Sequence, residues 1–152
     1  MTTQTQQAIL SAARAQIGKK YNEVDCSNFV HQSYAVAGLH YPYTNTARFH
    51  SLTSSGQDFF ESVEEKDRQA GDVVLYPGHM GIWDPEGCKV LKAGNAANPQ
   101  CSKLGGNAPV LSSRSGGNRG PDFGVSGWFG TTKGWYRWKG VHKAPSTGAQ
   151  SI

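Results

Sequence analysis

Asp25-Cys26-Ser27-Asn28-Phe29-Val30 and, downstream, Gly78-His79-Met80-Gly81-Ile82 are the two runs on which the reading of this chain turns. The first opens an amphipathic helix. Cys26, Val30, Ser33 or Tyr34, and Ala37 recur at helical spacing with Phe29 and Val36 beside them, which predicts a helix over 26–37. Gly38 stands where such a helix stops. The second run follows a Pro77-Gly78 turn. It reads as a strand from His79 to Trp83, preceded by the strand Asp72-Val73-Val74-Leu75-Tyr76. A thiol at a helix N-terminus meets unpaired backbone N–H groups and a partial positive charge, and both favour the nucleophilic thiolate. An imidazole beside it takes up the thiol proton and later delivers a proton to the leaving amine. Cys26 and His79 are therefore the candidate nucleophile and base. The alternative for Cys26 is a buried apolar residue on a helix face. His31, His40, His50 and His142 are weaker partners, because none begins a strand after a tight turn.

Working outward, Leu10, Ala13 and Ile17, widened by Ile9 and Ala12, predict a first helix over 5–17 that ends at Gly18. Thr44-Asn45-Thr46 offers caps for a short third helix through about Leu52. Residues 53–70 read as a polar loop anchored by Phe59-Phe60. Asp84-Pro85-Glu86-Gly87 is a strong turn, and Lys89 to Ala93 reads as a third strand. Residues 94–127, rich in Gly, Asn and Ser, read as a long irregular excursion, and Trp135 to Trp138 as a last strand. Helices first and an antiparallel meander after define an α+β fold, with N-terminal helices packed on an antiparallel sheet. Residues 1–142 form one catalytic domain in this reading, and 143–152 a flexible tail.

The chain has 152 residues, enough for one domain with a real core. Its net charge of +4 is mild and needs no polyanionic partner, and no RNA-binding or helix-turn-helix signature is present. Nucleic acid is therefore not an expected partner. No apolar run approaches membrane-spanning length, so no membrane partner is expected either. Met1-Thr2-Thr3-Gln4-Thr5-Gln6-Gln7 has no basic segment followed by an apolar one, which suggests synthesis in the cytoplasm without a visible signal peptide. Of the three cysteines, Cys88 and Cys101 either pair in an oxidising space, leaving Cys26 free, or remain ordinary thiols. There is no Cys-x-x-Cys and no zinc-type spacing, and neither metal nor cofactor is expected.

Tyr21 followed by Asp25-Cys26-Ser27-Asn28-Phe29-Val30 resembles the "Y…DCSGFV" stretch of the NlpC-type cell-wall cysteine peptidases. Ala70-Gly71-Asp72-Val73-Val74-Leu75-Tyr76 and Gly78-His79-Met80-Gly81-Ile82-Trp83 resemble their "GD-hydrophobic…GHVGIY" stretch, and Pro42 to Ala47 looks like the segment leading into the next helix. The resemblance runs from about Leu10 to about Ala93. It implies a papain-like α+β fold and hydrolysis of an amide in peptidoglycan stem peptides, commonly between D-glutamate and the diamino acid. It makes Cys26 the nucleophile and His79 the base, and it sets Tyr21, Asp25 and Ser27 on substrate-lining positions. Helix capping by Asp25 and Ser27, and a core role for Tyr21, are the structural alternatives.

Two departures from the family stand out. The family sets a polar group on the strand after the histidine's, to orient the ring. A symmetric Asp84–Gly87 hairpin puts Lys92 there, which has no acceptor to offer. Asn95 is the nearest following side chain with one and is the expected orienter; a shifted register, a backbone carbonyl or a water are the alternatives. The second departure is Asn28, where relatives carry glycine. Rival readings are a CHAP-type N-acetylmuramoyl-L-alanine amidase, a non-catalytic wall-binding module, and thiol acyl transfer to a non-wall substrate. A wall hydrolase has no substrate in the cytoplasm. Export is therefore expected, as an antibacterial effector toxin of a secretion system with a cognate immunity protein, or alternatively as a phage lysis enzyme.

Overall fold

Helix α1 (Thr3–Arg14) starts at Thr2, whose hydroxyl accepts from the Thr5 N–H at 3.1 Å. It stops three residues earlier than the apolar spacing suggests. Gln16 leaves the helix to reach α2 (Cys26–Val36), donating to Phe29 O at 3.1 Å and to Ser33 Oγ at 2.7 Å. A tertiary contact thus overrides the local pattern. Gly18, with φ +111°, turns the chain after it. Asp25 caps α2, accepting from Asn28 N at 3.0 Å, so Cys26 is the first residue of the helix. Asn45 in turn caps a 3-10 segment, Thr46–Thr53. The computed structural model describes residues 1–54, 56–91, 101 and 103–139.

The sheet has six strands, all antiparallel: β1 (Phe60–Val63), β2 (Val73–Tyr76), β3 (His79–Trp83), β4 (Val110–Arg114), β5 (Gly120–Gly124) and β6 (Gly134–Trp138). Their order is β1-β6-β2-β3-β4-β5. The expected α+β arrangement of helices on an antiparallel sheet is what the chain forms. β1 lies in the stretch expected to be a loop. It is an edge strand, paired only with β6, and its outward Glu61 and Ser62 hide the strand pattern. β4 and β5 fall inside the stretch read as irregular.

One correction bears directly on the site. The third strand expected over 89–93 does not form; Gly87–Leu91 is a short helix, α3, and the strand beside β3 is β4. Asp84 is a structural anchor and not a hairpin corner. Its carboxylate takes a bidentate bond from Arg14 (Nε 2.9 Å, Nη2 2.8 Å), and its N–H bonds Pro109 O at 2.8 Å. Gly87 carries no Cβ because one would sit 2.3 Å from the Asp84 carboxylate and 2.4 Å from the Phe123 ring. The chain returns to the sheet only after a disulfide, Cys88–Cys101, with Cα atoms 5.3 Å apart. The register that put residue 92 opposite residue 79 therefore does not exist. Lys92 and Asn95 themselves lie outside the described residues, as does the 143–152 tail.

Helices α1 and α2 cover one face of the sheet over Val73, Leu75, Met80, Ile82, Leu111 and Phe123. Tyr34 is fully buried and its hydroxyl donates to Gly71 O at 2.6 Å, tying α2 to the start of β2. Asp72, next along, receives a bidentate bond from Arg137 of β6 (3.0 and 2.8 Å). This pair joins the start of β2 to β6. Among the described residues no helix is long and apolar enough to cross a membrane.

Candidate active site

Cys26 is buried at the start of α2, and it is a free thiol. Its Sγ lies 3.6 Å from Thr46 Oγ1, at the first residue of the 3-10 segment. His79 opens β3 as the sequence predicts. Its Nε2 lies 2.9 Å from Ser112 Oγ on β4. The ring bonds to this serine and not to the thiol. The two halves of the expected dyad are instead joined through β4. Ser112 holds the imidazole, and the next residue, Ser113, donates to Val24 O, two positions before Cys26. Both serines are fully buried. The β3–β4 ladder pairs Ile82 with Leu111 and Trp83 with Val110, and Ser113, two residues beyond it on β4, fastens the Cys26 loop.

Gly81 of the histidine run has a steric role here. A Cβ on it would lie 2.9 Å from both Leu111 O and Ser112 Cβ. Its absence lets β4 come close enough for Ser112 to reach the ring.

The imidazole is shielded on several sides. It stacks on Phe129 with centroids 4.4 Å apart and planes 22° apart, and Tyr76 lies 6.1 Å away. Burial, and after it the charge of Arg114, lowers its pKa to about 4. At neutral pH the ring is therefore uncharged and keeps one lone-pair nitrogen. Arg114 projects from the same strand as Ser112, with its guanidinium 5.0 Å from the centre of the Trp128 ring.

The three expected substrate-lining residues cluster around Cys26. Tyr21 has its pKa raised by burial first and then by the charges of Cys26 and Asp25. Asp25 caps the helix, and Ser27 Oγ contacts Asp25 Oδ1 at 3.3 Å and the hydroxyl of half-exposed Tyr43 at 2.6 Å. The capping alternative thus holds for Asp25. The Asn28 side chain folds back, its Nδ2 donating to the same Asp25 oxygen at 2.9 Å. It braces the cap.

Ser112, Ser113, Arg114, Thr46 and Tyr43 escape the sequence reading, whereas Phe129, with Trp128, Trp135 and Trp138, reads from the sequence either as one wall of the cleft or as a packed cover of the sheet. Only Tyr43 and Thr46 had a signal, since they lie in the Pro42–Ala47 stretch with family character. The others sit in a Gly- and Ser-rich region whose strands carry no clean apolar alternation.

Residues 15–110 match the NlpC/P60 family, well over half of the sequence, and the chain belongs to this family of cell-wall peptidases. It is 35% identical over 105 residues to a probable endopeptidase of Corynebacterium glutamicum ATCC 13032, an alignment covering 62% of this chain and 46% of that protein. A probable endopeptidase of strain R of the same species matches with the same identity and coverage. The chain spans about half the length of these curated relatives. The family match ends two positions before Ser112.

Proposed function

We propose that this chain is a peptidoglycan hydrolase that cuts an amide of the stem peptide, between D-glutamate and the diamino acid, through a thioester on Cys26. The observation that carries the reading is the pair of adjacent serines on β4. In a chain of this family, one bonds the candidate base and the other fastens the loop that delivers the candidate nucleophile. Residues 1–142 are the catalytic unit in this proposal.

The chemistry follows from the ring's charge state. We assign the tautomer in which Nε2–H donates to Ser112 Oγ, which makes Nδ1 of His79 the lone-pair nitrogen. It takes the Cys26 proton as sulfur attacks the scissile carbonyl. Contacts of this kind tighten when substrate enters, so a resting thiol bonded to Thr46 is compatible with the step. The free N–H groups at the start of α2 face the developing oxyanion. Burial and Arg114 disfavour the imidazolium, so it gives its proton readily to the departing amine. Water then hydrolyses the thioester, with His79 again as base. Ser112 fills the orienting role that Asn95 was expected to fill. Tyr21 and Ser27 line the acyl side.

Digesting purified sacculi and weighing the products tests this. Release of a new amine on the diamino acid supports it. Release of L-alanine amines identifies the CHAP-type cut instead, and bound but uncut sacculi identify a wall-binding module.

In the cell, we infer action outside the cytoplasm, as an antibacterial effector delivered by a secretion system and held in check by an immunity protein. The Cys88–Cys101 disulfide favours an oxidising destination. Toxicity on direction to the periplasm, and none in the cytoplasm, is expected. Equal harmlessness in both would overturn the effector reading.

A further inference from the structure

A second recess lies beside the loop that leads to Cys26. Gly18 and Lys20 form one wall, and Gly116, Gly117, Arg119 and Asp122 the other, around a cavity of about 340 Å³. The walls are fastened to each other. Asn118, in the β4–β5 turn, accepts from Tyr21 N at 3.4 Å through its carbonyl and from Asn22 N at 2.8 Å through its side chain. Gly120 passes so near Lys19 that a Cβ would lie 2.1 Å from the Lys19 carbonyl oxygen. The recess therefore shares its wall with the segment carrying Tyr21, four residues before Asp25 and five before Cys26.

Its charge is unbalanced. Arg119 is paired with Asp122 at 3.2 Å. Lys20 has no carboxylate within ion-pair distance among the described residues. The neighbouring Glu23 carboxylate accepts from the Lys20 backbone N–H at 2.7 Å. Arg114 has no ion pair among the described residues either; its contacts are Phe123 O at 3.3 Å and the Trp128 ring. Arg114 interacts electrostatically with Arg119 on one side and with His79 on the other. The recess itself thus holds two cations, Lys20 and Arg119, against the single carboxylate of buried Asp122.

We propose that this recess is an anion subsite that seats a carboxylate of the acidic stem peptide while the scissile amide lies at Cys26. The inference rests on the hydrolase reading above. Lys20 and Arg119 supply the charge, and Gly116 and Gly117 bring backbone without side chains to the lining beside Arg119. An extended peptide advances about 3.3 Å per residue, so a stem-peptide carboxylate one or two residues from the cut is within reach of a neighbouring recess.

The test uses the non-cleaving Cys26→Ala chain and two probes, the stem tetrapeptide and its fully carboxamidated form. The acidic peptide is expected to bind at least tenfold tighter and to shift the amide signals of Lys20, Gly117 and Asn118. Lys20→Gln or Arg119→Gln in the same background is expected to erase most of that preference. Lys20 is exposed and unpaired, so its variant stays informative if Arg119→Gln disturbs Asp122. Equal binding of the two probes, or shifts that leave the recess untouched, would overturn the proposal. Uncut sacculi with wild-type protein would defeat the hydrolase reading and leave this binding difference standing. Normal hydrolysis without the difference would defeat the subsite alone.

Discussion

Ser112 Oγ and His79 Nε2 lie 2.9 Å apart across strands that are distant in sequence, and this bond fixes the plane of the candidate base's ring. Its neighbour Ser113 makes the matching bond to the Cys26 loop. Two consecutive residues therefore register base and nucleophile against each other.

The two serines should separate in their effects. Ser112→Ala removes the partner of the imidazole, and a net hydrogen bond of about 1.4 kcal/mol corresponds to about a tenfold loss in kcat. KM should change little, and the pH profile should move with the freed ring. Ser113→Ala should instead lower stability by about 1 kcal/mol, read as the urea midpoint, because Val24 O loses its buried donor. Identical kinetic and stability effects of the two variants would contradict this division.

Gly81→Ala tests the close approach of β3 and β4. The added methyl meets Leu111 O and Ser112 Cβ at 2.9 Å, so β4 must shift. We expect a stability loss of about 1–3 kcal/mol together with a fall in activity at least as large as that of Ser112→Ala. A variant as active as wild type would mean that Ser112 does not depend on this contact.

The His79 titration gives a signed pH prediction. Its pKa in the folded chain is about 4, against an ordinary 6.5, with burial the larger cause and Arg114 the smaller. The unfolded chain therefore binds this proton more readily than the folded one. The stability contribution is full above pH 6.5 and is lost as the pH falls toward 4. Activity should hold to about pH 5 and fall on an acid limb near 4. Arg114→Gln should raise the NMR midpoint of His79, though burial keeps it below 6.5. A wild-type midpoint at 6.5 or above would refute the neutral-base scheme.

The disulfide closes a loop with a sequence separation of 13, for which chain entropy gives about 3 kcal/mol. Mass spectrometry under non-reducing conditions should find one disulfide and one free thiol, at Cys26. The Cys88→Ser/Cys101→Ser chain should melt several degrees lower. An unchanged melting temperature would show that the link adds nothing to the folded state.

Helices α1 and α2, the β2–β3 hairpin and the last strand were legible because each carries its own local signal. Asp25 and Asn45 are caps, Gly18 and Gly38 are stops, and Pro77-Gly78 is a turn. The site was half legible for the same reason: Cys26 and His79 each sit at the start of an element. The orienter was not. Its position depends on which strand lies beside β3, and that is set by tertiary contacts. Arg14 holds Asp84, Gly87 admits Phe123, and Cys88 bonds Cys101, so the chain makes a helix where a symmetric hairpin was expected. β4 then arrives from a stretch whose buried Ser112 and Ser113 look, in sequence, like loop residues.

The central claim is that Cys26 carries the acyl group and His79 moves the proton. Its most direct test is the cleavage rate of the D-glutamyl–diamino acid bond in a purified stem peptide, compared between wild type and Cys26→Ala. Cleavage by wild type is expected, with a loss of at least a thousandfold in the variant and the folded spectrum unchanged. Comparable rates in the two proteins would contradict it.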